Sequence, residues 1–431
     1  MLLHLGSIKT LVISSADLAE DFLKTHDLSF ANRPQVKASR IILYDGKDLA
    51  FAPYGEYWKQ VRKICVIHLL SSKKVKSMAP IREEELALLM KRIASAASEN
   101  GKVSITNLLN SFTVGLACRA VLGFSIERVG LTYEMIRKNS SFLAEISVED
   151  YCPRLRWIDR MIGLEGKLKR HFKCWDDLLE RVIREKLSSF GEEDESKDVA
   201  FIDVLLKGTD TLLTREHIKA TLEVIIAASA ETTFVVLDWT MIELVRHPEV
   251  MRKLQDEIRG VIIEEERAIT EEHLSRMVYL KAVIKEILRL HPPAPLLLPR
   301  ESVEDCRILQ GRHEVPKGTR VLINVWAIGR DPENWEMPEE FRPERFLNGD
   351  IDYKGSHFQF IPFGAGRRIC PGIHFAVATI DVALANLLCF FDWRLPDGVR
   401  AEDLNMNEDD GIGAPRKQQL ELLPIPAQIP R

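Results

Sequence analysis

The chain has no surplus of positive charge. Its 59 Lys and Arg stand against 64 Asp and Glu, a net charge of −5 over 431 residues. A nucleic-acid footprint needs a clearly basic face, so that class of partner is excluded. Cysteine is scarce and unpaired in pattern: seven residues at 65, 118, 152, 174, 306, 370 and 389, with no CxxC. An odd, scattered set argues against a disulfide framework or a zinc knuckle and fits a reducing compartment. No uninterrupted run of 18 apolar residues occurs, which predicts no membrane span. Gly (23) and Pro (20) are too few for low complexity, and no repeat of 20–50 residues is found. The P-loop, HExxH and GxSxG motifs are absent; Gly364-Ala365-Gly366 opens like a dinucleotide fingerprint, but Ile369 breaks it and no βαβ context surrounds it.

What is present is mostly helical. Apolar residues recur at helical spacing over Ile81–Ala97, Leu168–Leu187 and Pro248–Val261, the last with proline in a tolerated first-turn position. The longest pattern, Thr211 to Arg246, has Thr214 as candidate N-cap and apolar residues on nearly every face, so it is predicted to be buried and central. A further helix is expected over Ile373–Phe391. The first fifteen residues alternate and read as strands, with short β-like runs around Ile308, Val315 and Val321–Val325. Phe190–Lys197 (FGEEDESK) reads as a solvated loop. Residues 331–361, rich in Pro, Asn, Asp and aromatics, form a long aperiodic stretch of the kind that is functional or packed around something. The predicted class is mainly α with a small β part. Length alone suggests about three domains, but the patterns read as one domain over 1–431.

One segment carries chemistry: Phe360–Gly372, FIPFGAGRRICPG. Its glycines permit a tight loop. Cys370 follows Arg367 and Arg368 at a helix start, where guanidinium groups and free N–H donors are expected to favour a thiolate, the form that ligates metals. Phe363, Gly366, Arg368, Cys370 and Gly372 fulfil FxxGxRxCxG, which resembles the haem-binding loop of the cytochromes P450. By that resemblance Cys370 is the axial ligand of the iron of haem b, Phe363, Gly364, Arg368 and Gly372 cradle the haem, and the haem is buried between the long central helix and the helix after the Cys loop.

The rest of the chain carries the same resemblance in the family's order. Glu286-Ile-Leu-Arg289 and Pro343-Glu-Arg345-Phe346 match the ExxR and PERF elements, implying a buried structural triad of Glu286, Arg289 and Arg345. Trp58-Lys-Gln-Val-Arg62 resembles WxxxR; the spacing puts both side chains on one helix face, and Trp58, Arg62, Arg300 and Arg368 are the implied binders of the haem propionates. Ala228-Ser-Ala-Glu-Thr-Thr resembles the oxygen-activation element, making Glu231 and Thr232 the acid and alcohol that guide protons. Ser229 stands where glycine is usual, where a distorted turn opens a groove for dioxygen and water. Ala228, Ser229, Leu296, Leu298 and Ile412 are the implied substrate-facing positions. FAPYGEYWKQVRK, HPPAPLLLPRES and PFGAGRRICPG are most similar to plant A-type enzymes. The implied activity is monooxygenation of a lipophilic small molecule (terpenoid, alkaloid or phenylpropanoid), with NADPH electrons arriving through a cytochrome P450 reductase at Lys59, Lys63 and Arg367. The implied location is the endoplasmic reticulum membrane facing the cytosol, held by an anchor not contained in this sequence. A haem-thiolate dehydratase or isomerase acting without dioxygen, for example on an aldoxime, and a non-catalytic haem or ligand-binding protein are the alternatives.

Overall fold

The structure is a computed structural model that describes residues 1–99, 101–189, 200–207, 213–262, 268–308 and 311–428. The expected loop at Phe190–Lys197 lies outside the described residues, as does the proposed helix start at Thr211. The alternating N-terminus forms strands β1 (Leu2–Leu5) and β2 (Ile8–Ile13), joined as an antiparallel hairpin. Helix α1 (Glu56–Cys65) carries the WxxxR residues, with Trp58 buried and Lys59 and Lys63 turned outward. Helix α2 (Ala79–Ser98) extends its predicted span by a residue or two at each end. Strand β3 (Val103–Ser104) leads into α3 (Ile105–Leu122), which the periodicity did not reveal because it is apolar and buried all round.

Helices α4 (Tyr133–Ala144) and α5 (Leu164–Ser189) follow. The central helix α6 (Arg215–Arg246) begins at its expected cap: the Thr214 N–H donates to His217 Nδ1 at 3.0 Å. At 1.5 Å per residue its 32 residues reach about 48 Å. It runs against α3, α4, α5, α7 (Pro248–Arg259), α8 (Val278–Leu290) and α9 (Ile373–Phe390). Membrane-span length and hydropathy are in fact met by α3, α6 and α9, which corrects the run-length criterion. Their apolar windows are 78, 72 and 67% buried inside the protein, so packing accounts for their composition.

The β part is small, as expected. Strand β4 (Arg300–Glu301) pairs antiparallel with β7 (Arg320–Ile323), and β7 pairs parallel with β2, giving the order β1-β2-β7-β4. Between them β5 (Cys306–Ile308) and β6 (His313–Val315) form a separate hairpin. The run expected to continue to Val325 ends at Ile323, and Val325 starts a one-turn helix capped by Asn324. Strand β8 (Phe391–Arg394) pairs with β9 (Glu421–Pro426), which also takes β3. This last sheet brings the C-terminal tail back across α3 and α6.

Candidate active site

The aperiodic stretch after residue 330 is packed around buried charge. Arg289 donates from Nε and Nη2 to both oxygens of Glu286 (2.7 and 2.8 Å), and Arg345 Nε donates to Glu286 Oε1 at 3.0 Å. The Glu286 and Arg289 side chains are fully buried. Arg289 also donates to the carbonyls of Gly329, Pro338 and Glu340, and Arg345 to those of Glu336 and Met337. Buried ions are tolerable only when every donor is matched. The loop's carbonyls do the matching, which explains both its length and its lack of period.

The Cys370 loop needs its glycines where backbone crowds. At Gly366 φ is +68°, and a Cβ would lie 2.4 Å from both the Leu23 carbonyl and Asp27 Oδ1. Cys370 closes the loop by donating its N–H to the Phe363 carbonyl at 3.0 Å, and α9 starts three residues later. The expectation of a favoured thiolate is corrected here. Desolvation pushes the Cys370 thiol up, and the Gly372 backbone and Arg62 only partly oppose it. Neither neighbouring arginine aims at the sulfur. Arg367 turns outward to Asp27, and Arg368 turns inward to the Ala31 and Ala52 carbonyls (2.8 and 2.6 Å).

Arg368 belongs to a buried cluster of like charge. Arg300 bonds to Ala365 O and faces Asp27; Arg62 bonds to Ile369 O at 2.7 Å. Arg33, which no motif marks in the sequence, is also buried and bonds to the carbonyls of Ala50, Leu298 and Pro299. Burial pushes Arg33, Arg62, Arg300 and Arg368 all down, Arg368 to about 9 with Arg300 and Arg62 adding to the effect. A guanidinium does not give up its proton in such a setting; the shift expresses the cost of burying the charge, to which the neighbouring arginines add at Arg33 and Arg368. Asp48 and Asp27 are the facing acids, and Asp48 is itself pushed up to about 6 by burial. Arg368 Nη1 is buried with no partner. Such a cluster wants an anion with two or more carboxylate oxygens, so these residues fit haem propionates beside a cysteine ligand. Trp58 departs from expectation: its indole N–H donates to the Leu49 carbonyl at 3.0 Å. Its ring instead underlies Arg368 and Arg62, with guanidinium carbons 4.1 and 5.4 Å from the ring centroid.

On α6, Ala228 is exposed and Thr232 half-buried in the middle of an otherwise buried helix. Thr232 Oγ1 donates to Ala228 O at 2.8 Å, and the Ser229 hydroxyl donates to Ile226 O at 3.2 Å. The helix runs on unbroken through Ser229, so no distorted turn opens there. Glu231 is buried, and desolvation pushes it up to about 7 against a hydrogen bond from Ser140 and the charge of Arg137. The tail comes to this point: a Cβ on Gly413 would lie 3.2 Å from Glu231 Oε1, and Ala414 N–H donates to Pro293 O at 3.1 Å. Leu298 and Ile412 pack on one apolar cluster with Ile42, Leu43, Phe51 and Leu168, whereas Leu296 is largely exposed. Leu297, at φ +50°, leans toward Gly364 of the Cys loop. Middle helix, proline loop and tail therefore meet.

Comparison with known proteins agrees with this assembly. The family model described as Cytochrome P450 matches residues 1–422. The chain is 44% identical to "Cytochrome P450 71A1" of Persea americana, over 98% of this chain and 86% of that protein. It is 40% identical to the costunolide synthase of Cichorium intybus, over 100% of this chain and 86% of that protein. It is 43% identical to the indole-2-monooxygenase of Zea mays, over 98% of this chain and 80% of that protein. Among solved structures, a zebra fish cytochrome P450 with abiraterone superposes with a TM-score of 0.81 at 26% identity, covering 99% of this chain and 95% of that one. With its fold, its cysteine loop and its relatives in agreement, the chain belongs to the cytochrome P450 family and is a P450 monooxygenase.

Proposed function

We propose that this chain inserts one oxygen atom of dioxygen into a lipophilic small molecule of plant specialised metabolism, a terpenoid, alkaloid or phenylpropanoid, as one haem b-centred domain over 1–431. Electrons come from NADPH through a cytochrome P450 reductase, and the setting is the cytosolic face of the endoplasmic reticulum membrane. The observation that carries the reading is the convergence of mid-α6, the proline loop and the 411–414 tail, which meet beside the buried acid Glu231, with Leu298 of the loop and Ile412 of the tail sharing one apolar cluster. Names of the relatives support it: one makes a costunolide, another oxidises indole.

When bound, haem with a thiolate ligand supplies an electron-rich iron that favours O–O cleavage. The chain's residues do the rest. Cys370 provides the ligand, with Phe363, Gly364 and Gly372 shaping the loop around it. Arg62, Arg300 and Arg368 hold the propionates. Ala228, Leu296, Leu298 and Ile412 orient an apolar substrate and exclude water, with Ser229 bonded back to its own helix. Glu231, which desolvation pushes up to about 7, is the acid of the pair, and Thr232, its hydroxyl held to Ala228 O, is the alcohol. Glu286, Arg289 and Arg345 hold the loop behind the haem and touch no reactant. The reduced carbon-monoxide spectrum of the purified chain should show the thiolate-ligated Soret band, and Cys370→His should abolish it. Turnover should require NADPH, reductase and dioxygen. Conversion of substrate without dioxygen would replace this reading with the dehydratase or isomerase one.

A further inference from the structure

Residues 43–55, between the short helix Lys37–Ile42 and α1, form no helix or strand. A backbone without its own ladder still needs its carbonyls matched, and over 47–52 side chains do most of the matching. Tyr57 Oη donates to Lys47 O, and Trp58 Nε1 donates to Leu49 O at 3.0 Å. Arg33 Nε donates to Ala50 O at 3.0 Å, Gln35 Nε2 to Phe51 O at 2.9 Å and Arg368 Nη2 to Ala52 O at 2.6 Å. From within the segment, Oδ1 of buried Asp48 accepts the N–H groups of Ala50 and Phe51 at 2.6 and 2.8 Å. This anchoring fixes the place of Phe51, which belongs to the apolar cluster on which Leu298 and Ile412 also pack. Arg33 goes further and reaches the proline loop: its Nη1 donates to Leu298 O at 2.7 Å and to Pro299 O at 2.8 Å. Ala50 and Leu298, one from each of the loops it joins, both pack on that cluster.

We propose that Arg33 is a positioning residue for substrate selection: its guanidinium ties the 47–52 segment to the proline loop, holds Phe51 and Leu298 in one apolar wall, and so gives the pocket its discrimination between apolar molecules of different length. The inference rests on the reading of Leu298 and Ile412 as substrate-facing. Chemistry singles out arginine for this task. A buried cation is costly, and Arg33, 6% exposed, stands among the like charges of Arg300 and Arg368 with Asp48 as the facing acid. A neutral donor would meet one carbonyl at less cost. What it lacks is a pair of donor edges on one rigid plane, and Arg33 uses both, Nε toward Ala50 and Nη1 toward Leu298 and Pro299. Neither loop has regular structure to hold its spacing from the other, and hydrogen bonds from a charged donor are the stronger kind. Arg368 holds the far end of the segment at Ala52, so the same wall is registered against the Cys370 loop.

The test uses the haem-loaded full chain and a graded set of probes: 1-methyl-, 1-butyl- and 1-octylimidazole. Each ligates the iron through its ring nitrogen and extends its chain into the pocket, and its Kd is read from the shift of the Soret band. In the parent chain affinity should rise from methyl to octyl as apolar surface leaves water. In Arg33→Gln the 1-methylimidazole Kd should stay within about twofold, while the octyl advantage over methyl shrinks about tenfold, the contact of about two methylene groups. Arg33→Lys keeps the charge but, as a point donor, meets one loop and not both, so it should lose the same advantage. Gln35→Ala, at an exposed position, takes away the partner of the Phe51 carbonyl. It should shrink the advantage about threefold, and it serves if the Arg33 variants do not fold. An unmoved methyl-to-octyl ratio in the Arg33 variants, or in Gln35→Ala where those do not fold, overturns the inference. So does equal weakening of all the probes, the mark of a merely structural residue, or full recovery in Arg33→Lys. A parent chain whose Kd does not vary with chain length overturns the substrate-facing reading of Leu298 and Ile412 itself.

Discussion

Replacing Glu286 by Gln preserves shape and removes one charge, so it isolates what the buried triad does. Glu286 Oε1 accepts three hydrogen bonds: Arg289 Nη2 at 2.8 Å, Arg345 Nε at 3.0 Å and the Arg342 N–H at 2.8 Å. Oε2 accepts one, from Arg289 Nε at 2.7 Å. A Gln that leaves its carbonyl at the triple junction turns its NH2 against Arg289 Nε, donor to donor. The opposite flip loses three acceptor contacts instead of one. Two guanidiniums, fully buried and 9% exposed, then lack a counter-ion, a situation that costs about 3–5 kcal/mol. Loop carbonyls still hold Arg289 and Arg345, which sets the expectation at the lower end, about 3 kcal/mol. Urea unfolding with a carbon-monoxide spectrum at each step gives the measurement. Loss of less than about 1 kcal/mol, with the thiolate-ligated band intact, would show that the carbonyl cage alone carries the arginines and refute the reasoning. Arg289→Lys is the companion: an ammonium cannot make the bidentate pair and reach Gly329 and Pro338 at once, so it should fail similarly.

Three further outcomes follow from the same geometry. Gly366→Ala should destabilise the haem-loaded protein by at least about 2 kcal/mol, from a left-handed backbone plus a Cβ pressed on the Leu23 carbonyl; Gly349→Ala, with open space around it, should change melting little. Arg368→Gln should speed haem transfer to apomyoglobin at least about tenfold, equivalent to about 1.4 kcal/mol, while Arg367→Gln on the exposed side should not; equal retention would remove Arg368 from the propionate site. Asp381, buried on α9, is pushed by desolvation from 3.8 to about 7. The native state therefore binds more protons than the unfolded chain between those values, and stability falls as pH rises through that window. Asp381→Asn should melt higher than the parent above pH 7 and show no advantage below pH 3.8, with about 4 kcal/mol as the upper bound at 1.36 kcal/mol for each pH unit; a pH-independent difference would refute the assignment.

Legibility followed periodicity and local spacing. α2, α5, α6, α7 and α9 declared themselves because each has a face to bury or a cap to start it, and their ends fell within four residues of expectation. α3 did not, since a helix buried all round has no polar face to set a period. At the site, spacing identified pairs on one helix: Trp58 with Arg62, and Glu286 with Arg289. It could not identify partners from elsewhere in the chain. The carbonyls that satisfy Arg289 come from residues 40 to 51 positions away. Arg33 reaches Leu298 and Pro299 across some 265 positions, and Ser140 meets the tail across 273. Tertiary partners of that kind leave no local signal. The indole of Trp58 shows the complementary error: the spacing placed the ring correctly, but the N–H had a carbonyl to satisfy closer at hand.

The Cys370 loop shows why sequence proximity misassigned its arginines. Two guanidiniums adjoining a cysteine in sequence read as a device for stabilising a thiolate. In three dimensions the left-handed turn at Gly366 sends Arg367 outward to Asp27 and Arg368 inward to Ala31 and Ala52. The sulfur keeps the Gly372 backbone and one more distant cation, Arg62, and desolvation outweighs both. A coordinating thiol is deprotonated by the metal's own charge, so the loop need not do that work and is free to leave the sulfur in an apolar setting. Its arginines act on the opposite requirement. Arg368 gathers, with Arg33 and Arg300, into a buried cluster of positive charge that carboxylates can neutralise. On the proposed reading the two halves of the loop would address two ends of one ligand: sulfur to the iron, guanidinium to the propionates.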